Sequence, residues 1–134
     1  MIEVKHLYKS FEDKDVLLDI NAVFENGKTN LIIGQSGSGK TVLMKSLVGL
    51  FIPSKGEILY DGRDFVAMNK REKAQVRREM GMLFQSSALF DSLTVRDNVM
   101  FPLDMFSNMT LRDRQKRAQE CLDRVNLSDA GRKY

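Results

Sequence analysis

The chain has 134 residues, of which 43% are hydrophobic and 29% charged, a composition that predicts about one soluble domain with a real core and excludes a disordered chain. The net charge of +3 is too small to indicate nucleic-acid binding by itself. The sole cysteine, Cys121, excludes an internal disulfide and fits a reducing compartment. No apolar run approaches the length of a membrane helix.

The first part of the chain predicts three β-strands. Apolar and polar residues alternate over residues 2–7, and a second apolar run covers residues 16–24. Asn26-Gly27 is a signal for a tight turn. The apolar residues of the segment 29–33 predict a short buried strand that leads into a glycine-rich run.

Residues 34–41 read GQSGSGKT and match the phosphate-binding pattern Gly-x-x-x-x-Gly-Lys-Ser/Thr. Glycines allow the backbone angles with which successive N–H groups point at phosphate oxygens, and a helix predicted over residues 42–48 adds its positive N-terminus. Lys40 can reach the β- and γ-phosphates, and the Thr41 hydroxyl can hold Mg²⁺. The alternative is a glycine-rich turn that matches by chance. The predicted nucleotide-binding residues are Gly34, Ser36, Gly37, Ser38, Gly39, Lys40, Thr41 and Val42.

The middle of the chain predicts a hairpin, a helix and a strand. Asp61-Gly62 lies between two short apolar runs and is a strong hairpin-turn signal. Residues 69–79 form a charged helical stretch with Asn69 as its N-cap. Residues 80–84 predict a short strand, the Q-strand, that ends at Gln85.

Two further helices are predicted in the last third. Thr94 with Asp97 resembles a capping box, and the helix that it opens is expected to stop near Pro102. Thr110 with Asp113 repeats this signal. The second of these helices is expected to bury one apolar face, which comprises Leu111, Ala118, Leu122 and Val125.

A second informative run begins at Met82 and reads MLFQSSALFDSLTVRDNVMFPL. With the P-loop and the hairpin of residues 56–62, it resembles the N-terminal half of an ATP-binding cassette (ABC) transporter ATPase. In that family a glutamine after such a strand contacts Mg²⁺ and the attacking water, and it links the nucleotide site to the helical subdomain. The residue in this position is Gln85, which the resemblance implies as catalytic and Mg²⁺-binding. The alternative is a polar residue that bonds a nearby turn.

The resemblance implies an α/β fold, namely a P-loop NTPase core of ABC type with an N-terminal antiparallel β part and the start of the helical subdomain. Residues 1–134 would be the N-terminal part of a single ATP-binding domain. The β part and P-loop would cover about 1–68, and the helix, the Q-strand and the start of the helical subdomain about 69–134. We expect the chain to stop before the signature motif, the Walker B aspartate and the switch histidine, and therefore to be inactive alone.

The resemblance also implies ATP and Mg²⁺ as cofactors. The implied partners are a membrane permease subunit and a second ATP-binding subunit, as a homodimer, with no nucleic acid. The implied location is the cytoplasm, where the protein would be bound peripherally to the cytoplasmic face of the bacterial inner membrane. An N-terminal aromatic stacks on adenine in this family. Phe11 fits by position although Glu12 stands where glycine is usual, Tyr8 is the second candidate, and either ring can instead be part of the core.

A narrower resemblance concerns the cargo. Residues 86–92 and 101–103 are similar to the corresponding segments of the Mla-type ATPases of bacterial lipid trafficking. Importers of amino acids or phosphate have different sequences in these segments. Two alternatives stay open: an ABC-type ATPase that is not attached to a permease, and a P-loop kinase or GTPase outside the family. The basic residues around 70–78 and 112–124 are interleaved with acidic ones, which favours solvated helix faces over nucleic-acid binding.

Overall fold

The computed structural model describes residues 1–86 and 88–134. The chain forms two compact units, Met1–Leu83 and Phe84–Tyr134. Its elements, in chain order, are β1 (Ile2–Phe11), β2 (Lys14–Phe24), α1 (Lys40–Leu47), β3 (Lys55–Tyr60), β4 (Arg63–Asp64), α2 (Lys70–Arg78), α3 (Val95–Phe106) and α4 (Leu111–Arg124).

The first unit contains an antiparallel sheet in the order β2-β1-β3-β4. Val4 and Leu7 of β1 and Ile58 of β3 lie in the core. Val4 and Leu7 are three residues apart and share the buried face because the register of β1 shifts between them. The β3–β4 turn is made by Asp61 and Gly62, whose φ angles of 47° and 79° suit a tight hairpin. The strands predicted over residues 2–7 and 16–24 and the predicted hairpin are therefore confirmed.

Helix α1 packs against the sheet. Its residues Leu43 and Leu47 belong to the same buried cluster as Leu7, Ile58 and Phe65. At the C-terminal end of α1, the buried Tyr60 hydroxyl donates a hydrogen bond of 2.6 Å to the Leu47 carbonyl. Burial raises the pKa of Tyr60 to about 12. This hydrogen bond links β3 to the C-terminal end of α1, which is the end opposite to the glycine-rich run.

Helix α2 begins with the predicted Asn69 N-cap. The Asn69 side-chain oxygen accepts from the backbone N–H groups of Arg71 and Glu72, and the Glu72 carboxylate accepts from the Asn69 N–H. This reciprocal capping box satisfies donors that an uncapped helix leaves free. Val76 is the buried residue that joins α2 to the core.

The strands predicted over residues 29–33 and 80–84 are not formed, so these two expectations are wrong. Leu31 and Ile33 are each 82% exposed, and Leu83 is 98% exposed. An apolar run becomes a strand only where a neighbouring strand pairs with its N–H and C=O groups. Neither segment has such a partner in the part of the chain that the structure describes.

The second unit contains α3 and α4. The Thr94 and Thr110 hydroxyls accept the N–H groups of Asp97 and Asp113, which confirms both predicted N-caps. However, α3 does not stop near Pro102. It continues through this residue to Phe106, because the proline removes only its own hydrogen bond and the remaining turns keep theirs.

The apolar face predicted for α4 is only half correct. Ala118 and Leu122 are buried, as expected. Leu111 and Val125 are 56% and 61% exposed, so the two ends of the predicted face are not covered by the described residues.

Candidate nucleotide site

The N-terminus of α1 is open. Gly39 is the N-cap residue with φ of 98°, and no side chain caps the helix. The first intrahelical bond runs from the Leu43 N–H to the Gly39 carbonyl, at 2.9 Å. The preceding N–H groups of the first turn therefore have no helical acceptor and are available to an anion.

The glycines of this loop are needed for its shape. Gly37 and Gly39 have φ angles of 78° and 98°, which side chains resist. A Cβ on Gly39 would lie 3.1 Å from the Val16 carbonyl oxygen and 3.1 Å from the Leu17 side chain. The start of α1 thus sits directly on β2. A Cβ on Gly34 would meet the Ser38 hydroxyl at 2.7 Å.

Lys40 lies at the centre of the loop. Its Nζ donates to the carbonyl oxygens of Gly34 and Gln35, at 2.6 and 2.7 Å. The Ser38 N–H donates to the same Gln35 carbonyl at 3.2 Å. The loop therefore folds around its own ammonium group, whose hydrogen bonds are accepted by loop carbonyls, and this charge lies next to the uncapped start of α1. This geometry suits the phosphates of a nucleotide.

Thr41 and Val42, which follow Lys40, differ in exposure. The Thr41 side chain is exposed beside Lys40, whereas Val42 is half-buried against the core. Thr41 can therefore offer a hydroxyl to a metal ion, and Val42 can offer only its N–H. Among the described residues, no group of three or more Asp, Glu, His or Cys side chains is placed to bind a metal ion. This donor set fits Mg²⁺ that is held mainly by phosphates and water.

Phe11 lies at the end of β1 and is 37% exposed. Its ring packs edge-on against Phe51, with ring centroids 5.1 Å apart, and Lys9 Nζ lies 4.8 Å from its centroid. Phe11 pairs with Lys14, two residues before the Val16 that contacts Gly39. The aromatic ring and the P-loop therefore adjoin the same end of the β1–β2 hairpin.

Tyr8 is the second aromatic candidate. It is half-buried, and Lys55 Nζ lies 5.5 Å from its ring centroid. Sequence reasoning missed Val16 and Phe51, which position Gly39 and Phe11. No local motif indicates them, because each acts through a contact with a residue distant in sequence.

Gln85 belongs to the second unit and is exposed. Downstream of it, Asn98 organises the loop before α3. The Asn98 amide donates to the Phe90, Leu93 and Thr94 carbonyls, and its oxygen accepts the Phe90 N–H at 2.8 Å. Asn98 was not predicted, although a polar residue four positions after the Thr94 cap could have indicated it. Ser87, which belongs to the lipid-trafficking resemblance, lies outside the described residues.

Along residues 1–86 and 88–134, no helix is both long enough and apolar enough to cross a membrane.

Comparison with known proteins identifies the family. Residues 17–134 match the family profile described as ABC transporter. The chain is 45% identical over 103 residues to the intermembrane phospholipid transport system ATP-binding protein MlaF of Haemophilus influenzae, an alignment that covers 77% of the chain and 39% of MlaF. It is 40% identical over 116 residues to the methionine import ATP-binding protein MetN of Corynebacterium efficiens, which covers 87% of the chain and 32% of MetN.

Comparison with solved structures supports the same family. A dimeric bacterial ABC transporter cassette superposes with a TM-score of 0.88 and 29% identity, over 100% of this chain and 61% of the cassette. A dimeric cassette in a post-hydrolysis state with ADP and Pi gives 0.86 and 28%, over 99% of this chain and 61% of that one. The chain thus spans less than half the length of the curated relatives and about three fifths of the solved cassettes. The fold class is the predicted α/β fold of ABC type, and the chain belongs to the ABC transporter family.

Proposed function

We propose that the protein is the ATP-binding subunit of an ABC transporter and that its P-loop holds the phosphates of ATP. The observation that carries this proposal is the Lys40 ammonium group, which lies inside a loop of glycines at an uncapped helix N-terminus. The proposed nucleotide-binding residues are Phe11, Gly34, Ser36, Gly37, Ser38, Gly39, Lys40, Thr41 and Val42.

The chain's own groups would act mainly by positioning and by charge. Phosphate oxygens would replace the Gly34 and Gln35 carbonyls as acceptors of the Lys40 ammonium group, since an anionic acceptor makes the stronger hydrogen bond. The N–H groups of the first turn of α1 would bind the same oxygens. Thr41 would hold Mg²⁺, which supplies charge neutralisation to the phosphates when bound. Phe11 would present its exposed ring to the adenine.

Gln85 is proposed to carry the hydrolytic and coupling role that the resemblance implies, including a contact to Mg²⁺. The proposed partners are a membrane permease and a second ATP-binding subunit of the same kind. The support for dimerisation is that the similar cassettes were solved as dimers. The proposed location is the cytoplasmic face of the bacterial inner membrane. The proposed domain is a single ATP-binding domain of which residues 1–134 form the N-terminal part.

The finer proposal is that the transported cargo is a lipid. Its support is the 45% identity to a phospholipid-transport ATPase. Relatives that are 36% and 40% identical are described as a probable ribonucleotide transport protein, from Mycobacterium leprae, and as a methionine import protein. None of the nucleotide-site residues is expected to touch cargo, so the permease partner decides this point.

The proposal is tested with Lys40→Ala and titration of a fluorescent ATP analogue in the presence of Mg²⁺. The substitution removes charge-assisted phosphate bonds worth roughly 1.5–3 kcal/mol, so the affinity should fall by about ten- to a hundredfold. Lys28→Ala is the matched control, because Lys28 is an exposed lysine that pairs with Glu25 outside the loop. Equal affinities of Lys40→Ala and the wild type would contradict the assignment of the P-loop.

A further inference from the structure

The first unit contains a cavity that includes no residue of the P-loop run 34–42. It has a volume of about 360 Å³, within the range of roughly 300–1,000 Å³ that small-molecule sites occupy. One part of its wall is apolar and is formed by Phe51, Ile52, Pro53, Phe65 and Val66. These residues come from the loop after α1 and from the segment that follows β4.

Another part of the wall is cationic. Lys70, Lys73 and Arg77 line the cavity. They are spaced three and four residues apart on α2, so they share one face of this helix. Helix α2 therefore turns its core residue Val76 towards the sheet and a row of three positive charges towards the cavity.

Two of these cations, Lys73 and Arg77, are oriented by backbone carbonyls and not by carboxylates, and Lys70 is exposed. Lys73 Nζ donates to the Val66 carbonyl at 3.0 Å. Arg77 donates to the carbonyls of Val48 and Gly49, at 3.2 and 2.8 Å, where α1 ends. None of the ion pairs among the described residues includes Lys70, Lys73 or Arg77. The positive charge at the cavity wall is thus uncompensated.

The shape of the cavity depends on Gly49. A Cβ at this position would lie 2.7 Å from the Phe65 ring and 2.8 Å from an Arg77 nitrogen, and φ is 75°. The glycine lets the aromatic floor and the cationic wall approach each other across the end of α1. An apolar surface beside several cations suits an amphipathic anion, since the ring or chain is buried while the acidic group accepts charge-assisted hydrogen bonds.

We propose that this cavity binds a small organic anion. The apolar body of the ligand lies against Phe51, Pro53 and Phe65, and its carboxylate, sulfonate or phosphate group is bound by Lys70 and Lys73. The site shares no residue with the proposed nucleotide-binding set, although its Phe51 packs against Phe11. We expect both ligands to bind at the same time.

The probe is 8-anilinonaphthalene-1-sulfonate, whose fluorescence is titrated against the full-length protein saturated with ATP and Mg²⁺. The double variant K70Q/K73Q should weaken probe binding by about tenfold or more, because it removes the charge-assisted bonds. The matched control is R71Q/R78Q, which removes the same two charges from exposed positions of α2 outside the cavity. Equal weakening in both double variants, or displacement of the probe by ATP, would overturn the proposal.

Lysine acetylation followed by mass spectrometry gives a readout at the site itself. The probe should protect Lys70 and Lys73 from acetylation and leave Lys116 and Lys133, in the second unit, unchanged. Uniform protection of all four, or no protection of Lys70, overturns the proposal. A Lys70 that is already unreactive without the probe also overturns it, because another part of the full-length protein then covers the cavity.

Discussion

The packing and exposure of Phe11 bear directly on its proposed role of stacking on adenine. Its ring is 37% exposed, and its buried side is held by Phe51 and Lys9. This partial exposure differs from that of a core phenylalanine such as Phe65, which is 2% exposed. An aromatic ring held in this way can stack on a base at little entropic cost.

We therefore expect Phe11→Ala to weaken binding of ATP more than binding of inorganic triphosphate, since only ATP carries the ring. Stacking is worth roughly 0.5–1.5 kcal/mol, or about two- to twelvefold in affinity. Isothermal titration of both ligands measures the difference, and Phe106→Ala, at an exposed ring in the second unit, is the control. If both ligands weaken equally, Phe11 is a packing residue and Tyr8 becomes the candidate.

Tyr60 should make the stability of the protein depend on pH in the alkaline range. Its phenol donates to the Leu47 carbonyl, and burial raises its pKa from 10.0 to about 12. The folded protein thus keeps a proton that the unfolded chain releases. The stabilisation is complete below pH 10 and is lost as the pH rises from 10 towards 12.

The measurement is urea unfolding of the full-length protein and Tyr60→Phe between pH 9 and 12. The wild type should lose up to about 2 kcal/mol more than the variant over this range, at about 1.4 kcal/mol per pKa unit. At neutral pH the variant should be less stable by roughly 1–3 kcal/mol, because the Leu47 carbonyl loses its buried donor. Parallel pH profiles of the two proteins would argue against a buried, proton-retaining phenol.

At the scale of elements, the N-caps are the most local determinants of this fold. Asn69→Ala removes the acceptor of two N–H groups at the start of α2 and should cost about 1 kcal/mol of unfolding free energy. Faster hydrogen exchange of the Glu72 amide should accompany this loss. Asn108→Ala is the control, since Asn108 is exposed and precedes the α4 cap. A loss of stability as large in Asn108→Ala would show that the cap itself contributes nothing.

The elements that sequence reasoning predicted correctly are those whose causes lie within a few residues. The Asn69, Thr94 and Thr110 caps act over three positions, and the Asp61-Gly62 turn over two. The strands predicted over residues 29–33 and 80–84 failed because a strand needs a partner from elsewhere in the chain. An apolar run cannot specify that partner.

The same distinction applies to the candidate site. The P-loop could be predicted because glycine conformations, the helix N-terminus and Lys40 are contiguous in sequence. Three contacts could not be predicted, because each joins segments that only the fold brings together. They are the contact of Gly39 with Val16, the packing of Phe11 on Phe51, and the approach of the cationic face of α2 to the apolar wall of the neighbouring cavity. Pro102 is the reverse case, a local stop signal that the continuing turns of α3 override.

At the scale of the whole molecule, the proposed phosphate-binding loop and Gln85, the proposed hydrolytic and coupling residue, lie in different compact units. Residues 34–42 belong to Met1–Leu83, and Gln85 belongs to Phe84–Tyr134. Binding and turnover should therefore be separable by mutation.

Gln85→Ala in the full-length protein tests this separation. We expect turnover to fall by at least about tenfold, the lower range of what a positioned catalytic group contributes, while the affinity for ATP changes little. Gln75→Ala is the matched control, because Gln75 is an exposed glutamine on α2. Steady-state hydrolysis and equilibrium binding of the ATP analogue are measured on the same preparations. Unchanged turnover in Gln85→Ala would reduce this residue to a polar side chain of the loop, and a parallel fall in affinity would place it in nucleotide binding rather than in the hydrolytic step.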